Sequence, residues 1–215
     1  MGGLVAFLSH AEPIALVERD RDVAEAIFVF AGGHPRKEFA AEIWRRGAAP
    51  VLIVSVGRFE WRRYAGLGLP GDVALRAAVE QVPPPERHFF VVVEHGRGVA
   101  GVPGSIAAAP DAGAEAFPIR RRRFGTRNEA RALASLTRER GWRSLLVISS
   151  GFHLRRVALV VRRALAGSGV RASFAAVPYD RDPYGPGRWW RSPRRVIVVL
   201  SEVVKLAVYG VFLRV

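Results

Sequence analysis

Short apolar runs alternate with amphipathic stretches along most of this chain. Ala26 to Ala31 is a continuous apolar run rich in β-formers, the pattern of a strand buried on both faces. Gly32-Gly33-His34-Pro35 follows, with proline in the favoured first helical position. Arg36 to Arg46 then carries Ala40, Ile43 and Trp44 on one helical face, with Gly47 as its stop. The same logic predicts strands at Val51–Val56, Phe89–Val93, Glu115–Ile119, Ser144–Ile148 and Val170–Val177. It predicts helices at Asp72–Gln81, Thr126–Arg140, Phe152–Ala166 and Arg195–Phe212. Val82-Pro83-Pro84-Pro85 ends the second helix. His95 to Gly113, rich in Gly, Ala and Pro, reads as a long loop. Tyr179 to Pro193 is turn-rich and holds Trp189 and Trp190.

Strands that alternate with helices predict an α/β protein, a Rossmann-like three-layer α/β/α arrangement around a mainly parallel sheet. No internal repeat or second domain is evident. Residues 1–25 form a lead segment and residues 26–215 a single domain. In such sheets ligands bind beyond the carboxyl ends of the strands, where every motif below falls.

The most informative motif is Ser149-Ser150-Gly151-Phe152-His153-Leu154-Arg155-Arg156. A strand turns into a helix whose first turns carry His153, Arg155 and Arg156. A helix start has positive potential, so cations there are unfavourable unless an anion offsets them. Ser149, Ser150 and the helix amides are candidate donors to that anion, and a neutral His153 is a candidate acid or base. If the anion is an external ligand, the empty site is over-positive. Neutralising Arg156 would then slightly stabilise the empty protein. No G-x-S-x-G is present, so this is no nucleophile elbow.

Gly32, Gly33 and Arg36 repeat the pattern after the first strand. Glycines admit close backbone approach, and Arg36 can fork onto a phosphate. Ser55, Gly57 and Arg58 follow the second strand and could line the same cleft. Thr126-Arg127-Asn128-Glu129 has the capping-box form, in which Thr126 caps its helix and Glu129 reaches back. Both residues also fall where a ligand would sit. The glycine pattern is not G-x-G-x-x-G and no acid follows at the ribose-binding position, which argues against an ordinary dinucleotide cofactor.

Composition narrows the field. The chain has 215 residues, a formal net charge of +14 and no cysteine. Disulfides, thiolate metal sites and cysteine nucleophiles are excluded. Lys37 and Lys205 are the only lysines, so the charge is almost entirely arginine. Such a field favours acidic partners: phosphorylated or nucleotide-like small molecules, an anionic membrane surface, or nucleic acid. Arg120 to Arg123 has no accompanying nucleic-acid motif and reads as a solvated loop. The histidines show no H-x-x-x-H, so no metal site is predicted. Met1 to His10 lacks a basic n-region and a long enough apolar run for a secretory signal. Val196 to Val215 is interrupted by Ser201, Glu202, Lys205 and Arg214, and reads as a buried or membrane-surface helix rather than a span.

Taken in order, Ile27 to Gly33, Ser55-Val56-Gly57, Thr126 with its acidic neighbour, and Ser149 to Arg156 resemble the YdcF-like family, whose members include SanA- and ElyC-type envelope proteins. Trp189-Trp190 with Glu202 and Lys205 resembles one branch of it. The resemblance runs from about Ala26 to Tyr209. It implies a Rossmann-like fold and a link to the bacterial cell envelope, at or near the inner membrane, without implying a defined reaction. Two departures stand out. The family's Thr-x-Glu-Asn order is Thr126-Arg127-Asn128-Glu129 here, and an acid before that threonine is replaced by the Arg120–Arg123 run. Both argue against a metal-assisted or carboxylate-based mechanism, and the replacement of the acid by arginines favours a more anionic ligand.

Overall fold

The computed structural model describes residues 24–95, 107–109, 113–119, 125–185 and 189–212. The lead segment up to residue 23, most of the predicted long loop and the Arg120–Arg123 run lie outside the described residues.

The sheet has seven strands: β1 (Ala26–Val29), β2 (Val51–Val56), β3 (Phe89–Glu94), β4 (Ala107–Ala109), β5 (Ala114–Pro118), β6 (Ser144–Ser149) and β7 (Arg171–Ala176). Their spatial order is β4-β5-β3-β2-β1-β6-β7. β1 pairs in parallel with both β2 and β6, and β6 with β7. β3 runs antiparallel to β2 and β5, and β4 antiparallel to β5. Thus β1, β2, β5, β6 and β7 share one direction, while β3 and β4 are reversed.

Helices cover both faces, giving the expected three layers. They are α1 (His34–Arg45), α2 (Asp72–Gln81), α3 (Gly125–Arg140), α4 (Gly151–Ala164) and α5 (Pro193–Phe212). The period of two along each strand sorts the core. Ile27, Val29, Leu52 and Val54 pack with Phe39 and Trp44 of α1 and Leu75 and Val79 of α2. Ala26, Phe28, Ile53 and Val147 pack on the other face with Leu133 of α3 and Leu154, Val157 and Val161 of α4. Phe28 makes edge-to-face contacts with Phe30 and Phe90 at the centre of this layer. α5 lies against α4, where Val199 packs with Phe152 and Trp189.

The reversal of β3 matters for the site. A β-α-β crossover normally returns the chain for parallel pairing. Here α2 ends at Gln81, and the prolines at 83–85 hold a 3₁₀ turn, Pro84–Glu86, before the chain enters β3. Phe89 then pairs with Val56 at the carboxyl end of β2. The start of β3 therefore joins the edge of the sheet where the parallel strands end.

Candidate functional site

β1 stops at Val29, and Ala31 and Gly32 turn the chain into α1. Both polar groups of the Ala31 backbone are clamped. Its N–H donates to Glu129 Oε2 at 3.0 Å, and its carbonyl accepts from Arg36 Nη1 at 2.9 Å. Arg36 Nη2 donates to Ser150 Oγ at 3.1 Å. One buried guanidinium therefore ties the β1–α1 turn to the β6–α4 turn, while its Nε has no partner among the described residues. Gly32 is required at this point. Its φ is +136°, and a Cβ there would lie 2.8 Å from Arg36 Cζ. The space that Gly32 leaves is filled by the Arg36 guanidinium.

Ser149 ends β6 with its side chain fully buried, and Ser149 Oγ lies 2.8 Å from His153 Nδ1. Burial, with Arg156 and Arg36 nearby, holds the His153 imidazole well below its ordinary pKa, so the ring is neutral. Glu202 Oε1 lies 3.9 Å from His153 Nε2. That carboxylate favours a proton on Nε2, leaving Nδ1 to accept from the Ser149 hydroxyl. Glu202 of α5 also accepts from Arg156 Nε and, at 3.1 Å, from Arg156 Nη2. Arg156 Nη1 donates to Thr126 Oγ1.

A second chain of the same kinds of side chain flanks β1 on its other side. Ser55 Oγ, at the end of β2, lies 2.9 Å from His88 Nε2, and His88 Nε2 is 4.0 Å from Glu129 Oε1. Ser55 and Ser149 are both fully buried. Neither hydroxyl is presented to solvent, and both chains hold strand ends together. His153 is buried in the same way, with its Nδ1 turned to Ser149.

The start of α4 meets a carboxylate from within the chain. The helix start does have its anion, and the chain supplies it. Gly151 N–H donates to Asp182 Oδ2 at 3.3 Å, and Tyr184 N–H donates to Asp182 Oδ1 at 2.9 Å. Asp182 is buried, and burial pushes its pKa above the ordinary value against the pull of Tyr184 N–H and Arg36. Ser150 holds the N-cap position with no side-chain cap bond. Arg156 also has an internal anion. Its charge is compensated by Glu202, so its removal does not relieve an over-positive site. The expected capping box is not formed: Thr126 lies inside α3 and accepts from Arg156, and Glu129 accepts from Ala31 rather than reaching back.

The other candidates fall into two places. Gly33 caps α1 without a side-chain bond, and no acid lies in the first turn of that helix. Beside it opens a cleft of about 300 Å³ lined by Gly32, Gly33, His34, Lys37, Glu60 and Arg63, with Phe59, Tyr64 and Leu67 as apolar walls. Lys37 pairs with Glu60, and Gly57 N–H donates to Glu60 Oε2 at 3.2 Å. Burial lowers the Lys37 pKa while Glu60 opposes the shift. Tyr64 donates to Pro70 O at 2.8 Å, and burial raises its pKa, so it is a fixed neutral wall. Arg58 stands apart, exposed in a neighbouring groove, and Arg155 is half-buried on α4 outside the cleft lining.

Sequence reading missed His88 and Asp182. His88 was hidden by the reversal of β3, which no local pattern signals. Asp182 lies in a turn-rich segment where an acid is unremarkable. Glu202 did leave a signal: a lone carboxylate on an apolar helix must be paired or exposed. Among the described residues no cluster of three or more His, Cys, Asp or Glu could hold a metal ion. Comparison with known proteins finds no matching family model, no matching curated protein and no matching solved structure.

Proposed function

We propose that this protein binds a small phosphorylated ligand, with its phosphate at the start of α1 in the Gly32–Gly33 cleft. The observation that carries this reading is the lining of that cleft. An uncapped helix start, Lys37 and Arg63 face a single carboxylate, Glu60, and His34 adds a further donor. Even with Lys37 and Glu60 paired, Arg63 and the helix start leave positive potential. A cleft of about 300 Å³ is at the small end of ligand pockets. It suits a phosphate with a modest substituent rather than a dinucleotide. Binding is better supported than turnover, because the Ser149–His153 pair is buried. Placement in the YdcF-like family belongs to the same proposal, supported by the motif order and the α/β fold.

Arg63 is exposed, so Arg63→Ser leaves the fold intact. Calorimetric titration with inorganic phosphate and glycerol phosphate should show the variant binding about tenfold more weakly, the loss of one charge-assisted contact. Equal affinity in both proteins, or no heat in the wild type, rejects the cleft.

A second reading is docking to an anionic membrane surface. It is favoured by one feature of α5. Ile197, Leu200 and Val204 are exposed at 67%, 49% and 64% along one stripe, with Arg194 and Lys205 nearby and also exposed. Among the described residues no helix is long and apolar enough to cross a membrane. Vesicles containing phosphatidylglycerol should float the protein at low salt, and Leu200→Asp should release it. Flotation that ignores this substitution or the lipid charge rejects the reading.

A further inference from the structure

The groove beside the cleft shares the Phe59 wall with it but has a different chemistry and does not rest on the proposal above. It measures about 540 Å³ and is lined by Arg58, Phe59, Trp61, Arg62, Arg87 and the Pro84–Pro85 turn, with no acidic residue among the described residues of the lining. Phe59 is 75% exposed, an unusual state for a large aromatic side chain in a folded domain. The Arg58 guanidinium lies 4.1 Å from the centre of the Phe59 ring, and that of Arg62 lies 5.3 Å from the Trp61 ring. Each ring thus carries a guanidinium over one face, and Trp61 is half-buried against the core. Arg87 is held by a hydrogen bond from its Nε to Val82 O at 3.0 Å.

We infer that this groove binds single-stranded nucleic acid. Stacking platforms combined with a positive track are what an unpaired strand needs. A base stacks on the exposed Phe59 ring, Trp61 forms the groove wall beside it, and the backbone phosphates run along Arg58, Arg62 and Arg87. The openness of the walls decides between a strand and a free nucleotide. Arg58, Phe59, Arg62, Pro84 and Pro85 are all exposed, whereas small-molecule sites enclose most of their ligand. A polymer needs no enclosure, because successive nucleotides share the cost of ordering. A duplex is disfavoured, since its base faces are already stacked and cannot reach the ring. The formal net charge of +14 adds a general attraction to any polyanion, so the test must separate stacking from charge.

The measurement is fluorescence anisotropy of a labelled 12-nucleotide oligothymidylate over a range of salt. Three variants of the full chain are compared with the wild type. Phe59→Ala removes an exposed ring, so the fold persists; affinity should fall about tenfold with the salt slope unchanged. Arg58→Ser/Arg62→Ser should lower the log–log salt slope by about 1.4, two phosphate contacts' worth for a single strand. Arg131→Ser/Arg138→Ser, on an exposed face of α3, removes the same charge elsewhere and should leave that slope in place. Four results would overturn the inference. These are equal affinity of wild type and Phe59→Ala, equal flattening by both arginine pairs, a duplex bound as tightly as the single strand, and thymidine monophosphate bound as tightly as the 12-mer.

Discussion

Replacing Glu202 with leucine should lower the free energy of unfolding by about 3–5 kcal/mol, the range for breaking a buried ion pair from one side. Glu202 is 3% exposed and Arg156 is 7% exposed. Without the carboxylate, the Arg156 guanidinium keeps Thr126 as its hydrogen-bond partner, and its charge stays uncompensated in a poorly hydrated site. The Tyr209 ring, 5.2 Å from the Arg156 Cζ, gives a smaller cation–π contribution and does not replace the lost anion. Arg156→Leu alone should cost a comparable amount, because it strands Glu202 beside the neutral His153, with the half-exposed Lys205 at 3.8 Å as a weak substitute. The double variant should recover most of the loss, since a buried pair replaced by well-packed apolar groups is often neutral. Urea denaturation of the four proteins closes the cycle. A cost below about 1 kcal/mol for Glu202→Leu would mean that the pair behaves as a solvated surface bridge.

That cycle also shows where sequence reading succeeded and where it stopped. The strands were legible because they are buried on both faces. Ala26–Val29 and Val51–Val56 contain almost nothing but apolar residues, and that signal is local. The direction of β3 was not legible, because pairing depends on which end of the sheet the chain reaches, and Phe89-Phe90-Val91-Val92-Val93 reads the same either way. β4, Ala107–Ala109, fell inside a stretch read as loop, since three alanines carry little strand propensity.

The electrostatic anomaly of the site was legible too. His153, Arg155 and Arg156 at a helix start demanded an anion, and one is present. Its source was not legible. Asp182 reaches Gly151 across 31 positions of sequence, and Glu202 reaches Arg156 across 46. Only the fold brings those carboxylates in, through the turn after β7 and through α5. The same applies to Arg36, which meets Ser150 across 114 positions. A sequence reveals that a charge needs a partner more readily than it reveals whether the partner is internal.

The stability of the protein should fall as pH drops below about 6.5, with a slope of up to about 1.4 kcal/mol per pH unit from His153 alone. The sign follows from its burial. In the unfolded chain His153 titrates near its ordinary pKa of about 6.5. In the folded chain desolvation, with Arg156, Arg36 and Lys205 nearby, holds the pKa well below that. Between the two values the unfolded state binds a proton that the folded state refuses, so acid favours unfolding. Above about 6.5 both states are neutral and the term vanishes; below the folded pKa both are charged and the slope is lost again. Asp182 acts in the opposite sense, because its folded pKa is raised, but its window opens in the carboxylate range. His153→Asn isolates the histidine, since the amide oxygen can replace Nδ1 as acceptor for Ser149 and cannot titrate. At pH 7.5 the variant should be less stable than the wild type, through lost packing of the ring against Phe30 and Phe152. Between pH 6.5 and 5.5 the gap should narrow by about 1 kcal/mol, as the wild type alone loses stability. Chemical denaturation at intervals across that range measures it. Parallel curves for the two proteins would mean that His153 binds its proton in the folded state, which the burial of the Ser149–His153 pair forbids.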